Sequence, residues 1–299
     1  MNNNYVIGIG ELLWDCFPLF RRMGGAPANF AFHAAQFGHN AMLISALGCD
    51  EDGEQLTKEL QKHKLNHRIA KVNLPTGVVN IDTSSENDPK YTINTEVAWS
   101  AIPYTEELAK IAENCCAVCF GTLAQYSNIS RETIKKFLAA TPHDCYKIYD
   151  INLRSNSGIN YFNNDIIKTS IAQCNVLKVN IDELNYLCNL FNIDNKKDAE
   201  VELLGKAFLK LFNEIKILII TMGTDGSWVL NGNETSFLPT PKVEVMDVVG
   251  AGDSFTGAFI GSILNGKTIK EAHRVAVQVS AYVCTQPDGM PEIPERLKK

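Results

Sequence analysis

The chain predicts an α/β fold: a mostly parallel sheet with helices on both faces. Three observations carry this. Short apolar, β-branched runs alternate with segments of helical period, polar residues gather just after the strand-like runs, and a chain of 299 residues that is 45% hydrophobic can bury a large core. Such a length suits one large or two modest domains.

The strand-like runs are YVIGIG (5–10), AMLISALG (41–48), AVCFGTL (117–123), YKIYDIN (146–152), NVLKVN (175–180) and IKILIITMG (215–223). Each is short and nearly all apolar, as strands covered on both faces must be. Between them lie PANFAFHAAQFG (27–38), DGEQLTKELQKH (52–63), TEELAKIAENC (105–115), SRETIKKFLAA (130–140) and AEVELLGKAFLKLFN (199–213), with apolar residues at helical spacing. Residues 76–103 break this rhythm: β-branched alternation surrounds the turn-rich SSENDP, which predicts a hairpin. Together with LLWDCFPLFRRM (12–23) it forms a small β-lid at the sheet edge. No internal repeat or low-complexity linker divides the chain, so 1–299 is expected to be a single domain.

A formal net charge of −6 argues against a general nucleic-acid or membrane-surface binder, so any phosphate must be held locally. No apolar run approaches the roughly 20 residues needed to span a bilayer, and MNNNYVIGIGELLW lacks the pattern of a signal peptide. A cytoplasmic protein is expected. The 9 cysteines then read as reduced thiols. Cys116-x-x-Cys119 has zinc-like spacing, but no second pair accompanies it, and its apolar setting favours buried cysteines in a strand.

In open parallel sheets ligands bind beyond the carboxyl ends of the strands. Polar motifs of this chain fall there: Asp15 and GGAPAN (24–29) after the first strand, then DINLR (150–154), NIDE (180–183) and TMGTDGS (221–227). In VMDVVGAGDSFTGAFIGSIL (245–264), Gly250-Ala251-Gly252 precedes Asp253 where an amphipathic helix begins. The first amides of a helix have no partners within it and the dipole there is positive, so glycines at that point can turn several N–H groups toward one anion. Asp253 would sit beside the anion; the alternative is that it only caps the helix.

These motifs resemble those of the ribokinase-like (PfkB) carbohydrate kinases. DVVGAGDSF (247–255) is similar to the family's C-terminal signature, and GGAPANFAFHAAQFG (24–38) with GCDEDG (48–53) to its N-terminal one. GELLWD (10–15), YTINTEVAWSAI (91–102), GTLAQYSNISRETI (121–134) and DINLR look most like the fructokinase branch. The resemblance implies a three-layer αβα sandwich with a small β-lid, and an ATP-dependent kinase acting on a primary hydroxyl of a free sugar, D-fructose first. It further implies that Asp253 is the catalytic base and that Gly250, Ala251 and Gly252 form an anion hole. Asp15, Gly25 and Asn29 would bind sugar hydroxyls, although Asn29, at a Pro-initiated helix start, would also suit a cap. Asn180 and Glu183 would organise Mg²⁺ through water, Thr221, Gly223 and Gly226 would line ATP, and Arg154 would lie near the transferring phosphate. In many members a monovalent cation such as K⁺ sits behind the anion hole, here held by Asp247 and carbonyls of QPDG (286–289). An exposed lid edge offers a surface for a homodimer.

Three positions depart from the pattern. Val248 stands where threonine is usual, Tyr126 where the fructokinase branch often has arginine, and Ser100 where it often has aspartate. The Tyr126 change leaves the sugar open, with ribose, 2-keto-3-deoxygluconate or a nucleoside as alternatives. A catalytically silent sensor is the reading outside enzymes. A dinucleotide-binding fingerprint fails, because Gly8-x-Gly10 is followed by Leu13 where the third glycine belongs.

Overall fold

From the amino end, β1 (Tyr5–Ile9) leads into the short strands β2 (Leu13–Cys16) and β3 (Arg21–Gly24), then α1 (Ala26–Ala35), β4 (Asn40–Gly48), α2 (Glu51–Lys62) and β5 (Asn66–Val72). Strands β6 (Gly77–Asp82) and β7 (Lys90–Ile93) precede α3 (Glu106–Glu113), β8 (Cys115–Gly121), α4 (Asn128–Ala140) and β9 (Tyr146–Asp150). The rest comprises α5 (Asn164–Ile171), β10 (Val176–Asn180), α6 (Ile181–Leu190), α7 (Val201–Leu211), β11 (Ile217–Thr221), β12 (Ser227–Asn231), β13 (Thr235–Leu238), α8 (Ala251–Leu264) and α9 (Ile269–Val283). This computed structural model describes residues 4–82, 90–153, 163–194 and 200–299.

The large sheet runs β13-β12-β11-β10-β9-β8-β1-β4-β5 and is parallel except at β12 and β13. Side chains of β1 alternate between two layers. Val6 packs with Phe30 of α1 and Phe255 and Phe259 of α8, whereas Ile7 and Ile9 pack with Phe137 of α4 and Tyr149 of β9. Helices therefore cover both faces, as the alternating pattern predicts.

The second sheet runs β3-β2-β6-β7, with β2 and β6 parallel and the other pairs antiparallel. It is the predicted lid, with one correction. The hairpin ends at Ile93; residues 98–101 form a short 3₁₀ turn that belongs to the body of the protein. Trp99 decides this: it is 1% exposed in the main core, and its carbonyl accepts the Ser130 hydroxyl at 2.8 Å. The turn residues 84–89 lie outside the described residues. Asp50 ties lid to body, since it caps α2 through the Gly53 N–H (2.8 Å) and accepts the Thr76 N–H (2.7 Å) where β6 begins.

Helix α8 also differs from expectation. Every residue from Ser254 to Ser262 is buried, because α1 and α9 pack against it and the sheet lies beneath. It is a core helix, apolar all round, rather than an amphipathic one. Strands β5, β12 and β13 and helices α5, α6 and α9 are not among the predicted elements. β5 lies at the sheet edge with half-exposed, charged residues, so it lacks the apolar run that marks the inner strands. All 9 cysteines are free thiols. Burial pushes the Cys119 thiol well up and that of Cys116 to about 11, and among the described residues no group of three or more His, Cys, Asp or Glu side chains converges to hold a metal ion.

Candidate active site

The first turn of α8 is built on glycine. Gly250 has φ 78°, in the left-handed region, and a Cβ there would stand 2.7 Å from the Cα of Gly289. Gly250 is the residue that caps the helix, so Asp253 lies inside its first turn and is not the cap. The amides of Ala251 and Gly252 sit at the positive end of α8.

Helix α1 approaches from the side. Gly25 precedes it with φ 125°, where a Cβ would meet the Glu11 carbonyl oxygen at 2.4 Å. Asn29 lies one turn in, too deep to cap the helix, and it is 5% exposed. Its Nδ2 donates to Asp253 Oδ2 across 2.7 Å. One turn further, His33 Nε2 donates to the Gly289 carbonyl at 2.8 Å. Burial brings the His33 pKa down to about 4, so the ring is neutral and holds the glycine against which Gly250 packs.

A cavity of about 270 Å³ runs from the glycine turn to the lid, and Asp15, Gly25, Asn29, Gly250, Gly252 and Asp253 all face it. Apolar Val79, Ile81 and Ile93 of the lid and Leu123 complete the far wall. Of the predicted sugar-binding and catalytic residues, these six are brought together from chain positions more than two hundred apart.

Lys178, which no motif marks, is on the same wall with Asp150, the first residue of the DINLR motif. Lys178 Nζ lies 3.1 Å from Asp150 Oδ1, with the two side chains 9% and 5% exposed. Burial alone would lower the lysine pKa, but the carboxylates of Asp150, Glu183 and Asp253 outweigh it and hold the ammonium charged above its usual range. A Cβ on Gly252 would stand 3.1 Å from that ammonium, so the positive charge sits directly behind the turn. No sequence motif marks Lys178, which occurs inside an apolar strand run.

Asn180 and Glu183 form a reciprocal cap at the start of α6: Asn180 Oδ1 accepts the Glu183 N–H and Glu183 Oε2 accepts the Asn180 N–H, both at 2.8 Å. Glu183 Oε1 accepts the Leu153 N–H at 2.8 Å. Glu183 is 4% exposed, and burial raises its pKa against the pull of Lys178. Each carboxylate oxygen keeps a second lone pair, which fits a hydrated Mg²⁺ held through water better than a directly bound one.

Thr221 ends β11, and Gly223 and Gly226 bracket the turn that follows; none of the three is in the cavity wall. Arg154 lies outside the described residues. Asp247 does not fit the donor set of a monovalent cation: the Arg22 guanidinium donates to its carboxylate and, at 3.2 Å, to the Pro287 carbonyl of the QPDG segment. Val248 is 68% exposed at the cavity mouth, Tyr126 is off its wall, and Ser100 is buried in the body.

A family model described as pfkB family carbohydrate kinase matches residues 12–296. The chain belongs to the PfkB family of carbohydrate kinases. It is 29% identical over 309 residues to an ATP-dependent 6-phosphofructokinase of Thermoanaerobacterium thermosaccharolyticum, covering 97% of this chain and 91% of that protein. It is 25% identical over 323 residues to the probable fructokinase-5 of Arabidopsis thaliana, covering 98% and 95%. The crystal structure of an uncharacterized sugar kinase, PH1459 of Pyrococcus horikoshii, superimposes with a TM-score of 0.80 at 25% identity, covering 96% of this chain and 94% of that one. The PfkB kinase described here thus has the ribokinase-like fold, and the cavity between its sheet and lid is the candidate active site of a carbohydrate kinase.

Proposed function

We propose that this kinase transfers the γ-phosphoryl group of ATP to a primary hydroxyl of a free sugar, D-fructose giving fructose 6-phosphate. The observation that carries this reading is the Asn29–Asp253 hydrogen bond of 2.7 Å, which aims a carboxylate into the cavity beside the Gly250–Gly252 turn. One Asp253 oxygen is oriented by Asn29 and the carboxylate accepts the proton of the attacking hydroxyl. That proton leaves late, because phosphoryl transfer is loose and demands positioning and charge neutralisation above all. The Ala251 and Gly252 amides, with Lys178 behind them, face the charge that builds on the transferring group. Asp15 and Asn29 offer acceptors and a donor to sugar hydroxyls.

Asn180 and Glu183 would hold the waters of Mg²⁺, which when bound neutralises phosphate charge. Thr221, Gly223 and Gly226 would line the nucleotide, and Arg154 would meet the phosphates. The described cavity wall carries the acidic side chains of Glu11, Asp15, Asp150 and Asp253 and a single lysine already paired, which favours an uncharged acceptor over a sugar phosphate.

A sugar phosphate is the second reading, favoured by the 29% identity to a 6-phosphofructokinase. An ADP-release assay with MgATP over fructose, fructose 6-phosphate, ribose, glucose, 2-keto-3-deoxygluconate, adenosine and inosine separates them. Fructose is expected to show the highest kcat/KM. A tenfold win by another acceptor keeps the kinase and replaces the sugar, while ADP release with none of them would favour a silent sensor. We also place the enzyme in the cytoplasm as one catalytic domain. Leu19 and Phe20, 95% and 56% exposed at the β2–β3 turn, support a homodimer through the lid, which sedimentation of a Leu19→Ser variant would test. Among the described residues no helix is long and apolar enough to cross a membrane.

A further inference from the structure

Strand β3 of the lid sends Arg22 into the body of the protein. Its Nη1 donates to Asp247 Oδ2 and to the Pro287 carbonyl, and the two side chains are 12% and 20% exposed. The ring of Phe17 covers the guanidinium, 4.7 Å from its carbon to the ring centre. The other oxygen of Asp247 accepts the Val249 N–H at 2.9 Å, one residue before Gly250. Pro287 belongs to the segment whose Gly289 packs on Gly250. One guanidinium therefore joins three stretches of chain: the lid strand, the loop entering the glycine turn and the loop behind it.

A carboxylate and a carbonyl converging behind an anion hole are the donors of a cation site, and that is where the family resemblance puts a monovalent ion. Here a side chain already supplies the charge. A second cation at the same donors would be repelled by the guanidinium, which already lies in contact with the Asp247 carboxylate and the Pro287 carbonyl. We infer that Arg22 is the resident cation of this kinase: it takes the place of a monovalent ion, makes the enzyme independent of K⁺, and links the lid to the glycine turn. Asp15 stands directly opposite Arg22 across the β2–β3 pair, on the same face of the lid sheet. A sugar drawn to Asp15 thus pulls on the strand that holds the loop of the anion hole in place, and Arg22 acts as a positioning residue.

The inference rests on the anion-hole reading of Gly250–Gly252, so its test has a readout apart from catalysis. Thermal unfolding and ADP release of the full chain would be compared in KCl, NaCl and tetramethylammonium chloride at equal ionic strength, which holds screening constant. The native protein is expected to keep the same Tm and kcat in all three. Arg22→Ala is expected to lose Tm and about tenfold or more in kcat, equivalent to about 1.4 kcal/mol, and to regain part of both in KCl but not in tetramethylammonium chloride. Should Arg22→Ala fail to fold, Arg22→Lys is expected to stay insensitive to K⁺ with a lower kcat, since an ammonium keeps the charge but loses the fork. A K⁺-specific rise in Tm or kcat of the native protein overturns the inference, as does an Arg22→Ala protein matching the native one in tetramethylammonium chloride. If no acceptor releases ADP, the proposed function fails, and the Tm comparison still decides the role of Arg22.

Discussion

Asn29 and Asp253 are 224 residues apart in sequence and 2.7 Å apart in space, with the Asn29 amide donating to the carboxylate. This contact fixes which way the carboxylate points. An amide at position 253 would still accept from Asn29 through its oxygen, so Asp253→Asn is expected to fold normally and to lose roughly 10²–10⁴ in kcat. A folded variant retaining half the native kcat would show that Asp253 is not the base.

The glycine turn makes a separate prediction. At Gly252 even a Cβ reaches to 3.1 Å from the Lys178 ammonium, and the branches of valine would crowd the amides proposed to meet the phosphate. Gly252→Val is expected to cost about 3–4 kcal/mol in transition-state stabilisation, comparable to removing one oxyanion donor. Circular dichroism must show a folded protein, and undiminished kcat/KM in that protein would make the turn purely structural.

Lys178 holds together a buried cluster of charge. Lys178→Met removes the cation facing Asp150, Glu183 and Asp253 and leaves their carboxylates uncompensated. Stability should fall by roughly 3–5 kcal/mol in urea unfolding at neutral pH. A loss below about 1 kcal/mol would mean that water or protonation compensates the carboxylates.

Acid should weaken the fold through two histidines. Burial lowers both His33 and His273 to about 4, below the 6.5 of an unfolded chain. Between these values the unfolded chain binds more protons, so stability falls as pH drops. The contribution is complete above pH 6.5, is lost progressively toward pH 4, and amounts to roughly 2 kcal/mol per histidine by pH 5. Urea unfolding at pH 7.5 and pH 5 of native protein and His273→Gln checks the sign. The variant is expected to show the smaller pH dependence, and equal slopes would remove His273 from the account.

Asp15 tests the acceptor end of the cavity. A site that hydrogen-bonds hydroxyls penalises groups left unpaired, so Asp15→Ala is expected to reduce kcat/KM for fructose by 10² or more with little change in ATP affinity. Calorimetric titration with an ATP analogue separates the two effects. A matching loss of nucleotide affinity would place Asp15 elsewhere in the mechanism.

Local signals carried the sequence reading where they were strong. Gly25 with Pro27 announced α1, the glycine turn announced the start of α8, and the apolar runs of β1, β4 and β8 to β11 announced the sheet. Where a segment owes its structure to neighbours, local signals are weaker. The capping box of Thr268 and Glu271 starts α9, yet its valines also suit a strand, and only packing on α8 makes it a helix. Residues 98–101 read as lid until Trp99 is seen in the core.

The site divides the same way. By itself the sequence determined the fold class and the lid, and through the resemblance of its short motifs to those of the PfkB kinases it implied candidate roles for Asp253, Gly250, Gly252, Asp15 and Asn29. Only the tertiary structure decided that Asn29 orients Asp253, that Lys178 stands charged behind the turn, and that Arg22 occupies the donors of Asp247 and Pro287. These are pairings across more than two hundred residues or charges enclosed by several strands. Their energy depends on distance and burial, which the folded chain sets and a run of neighbouring residues does not contain.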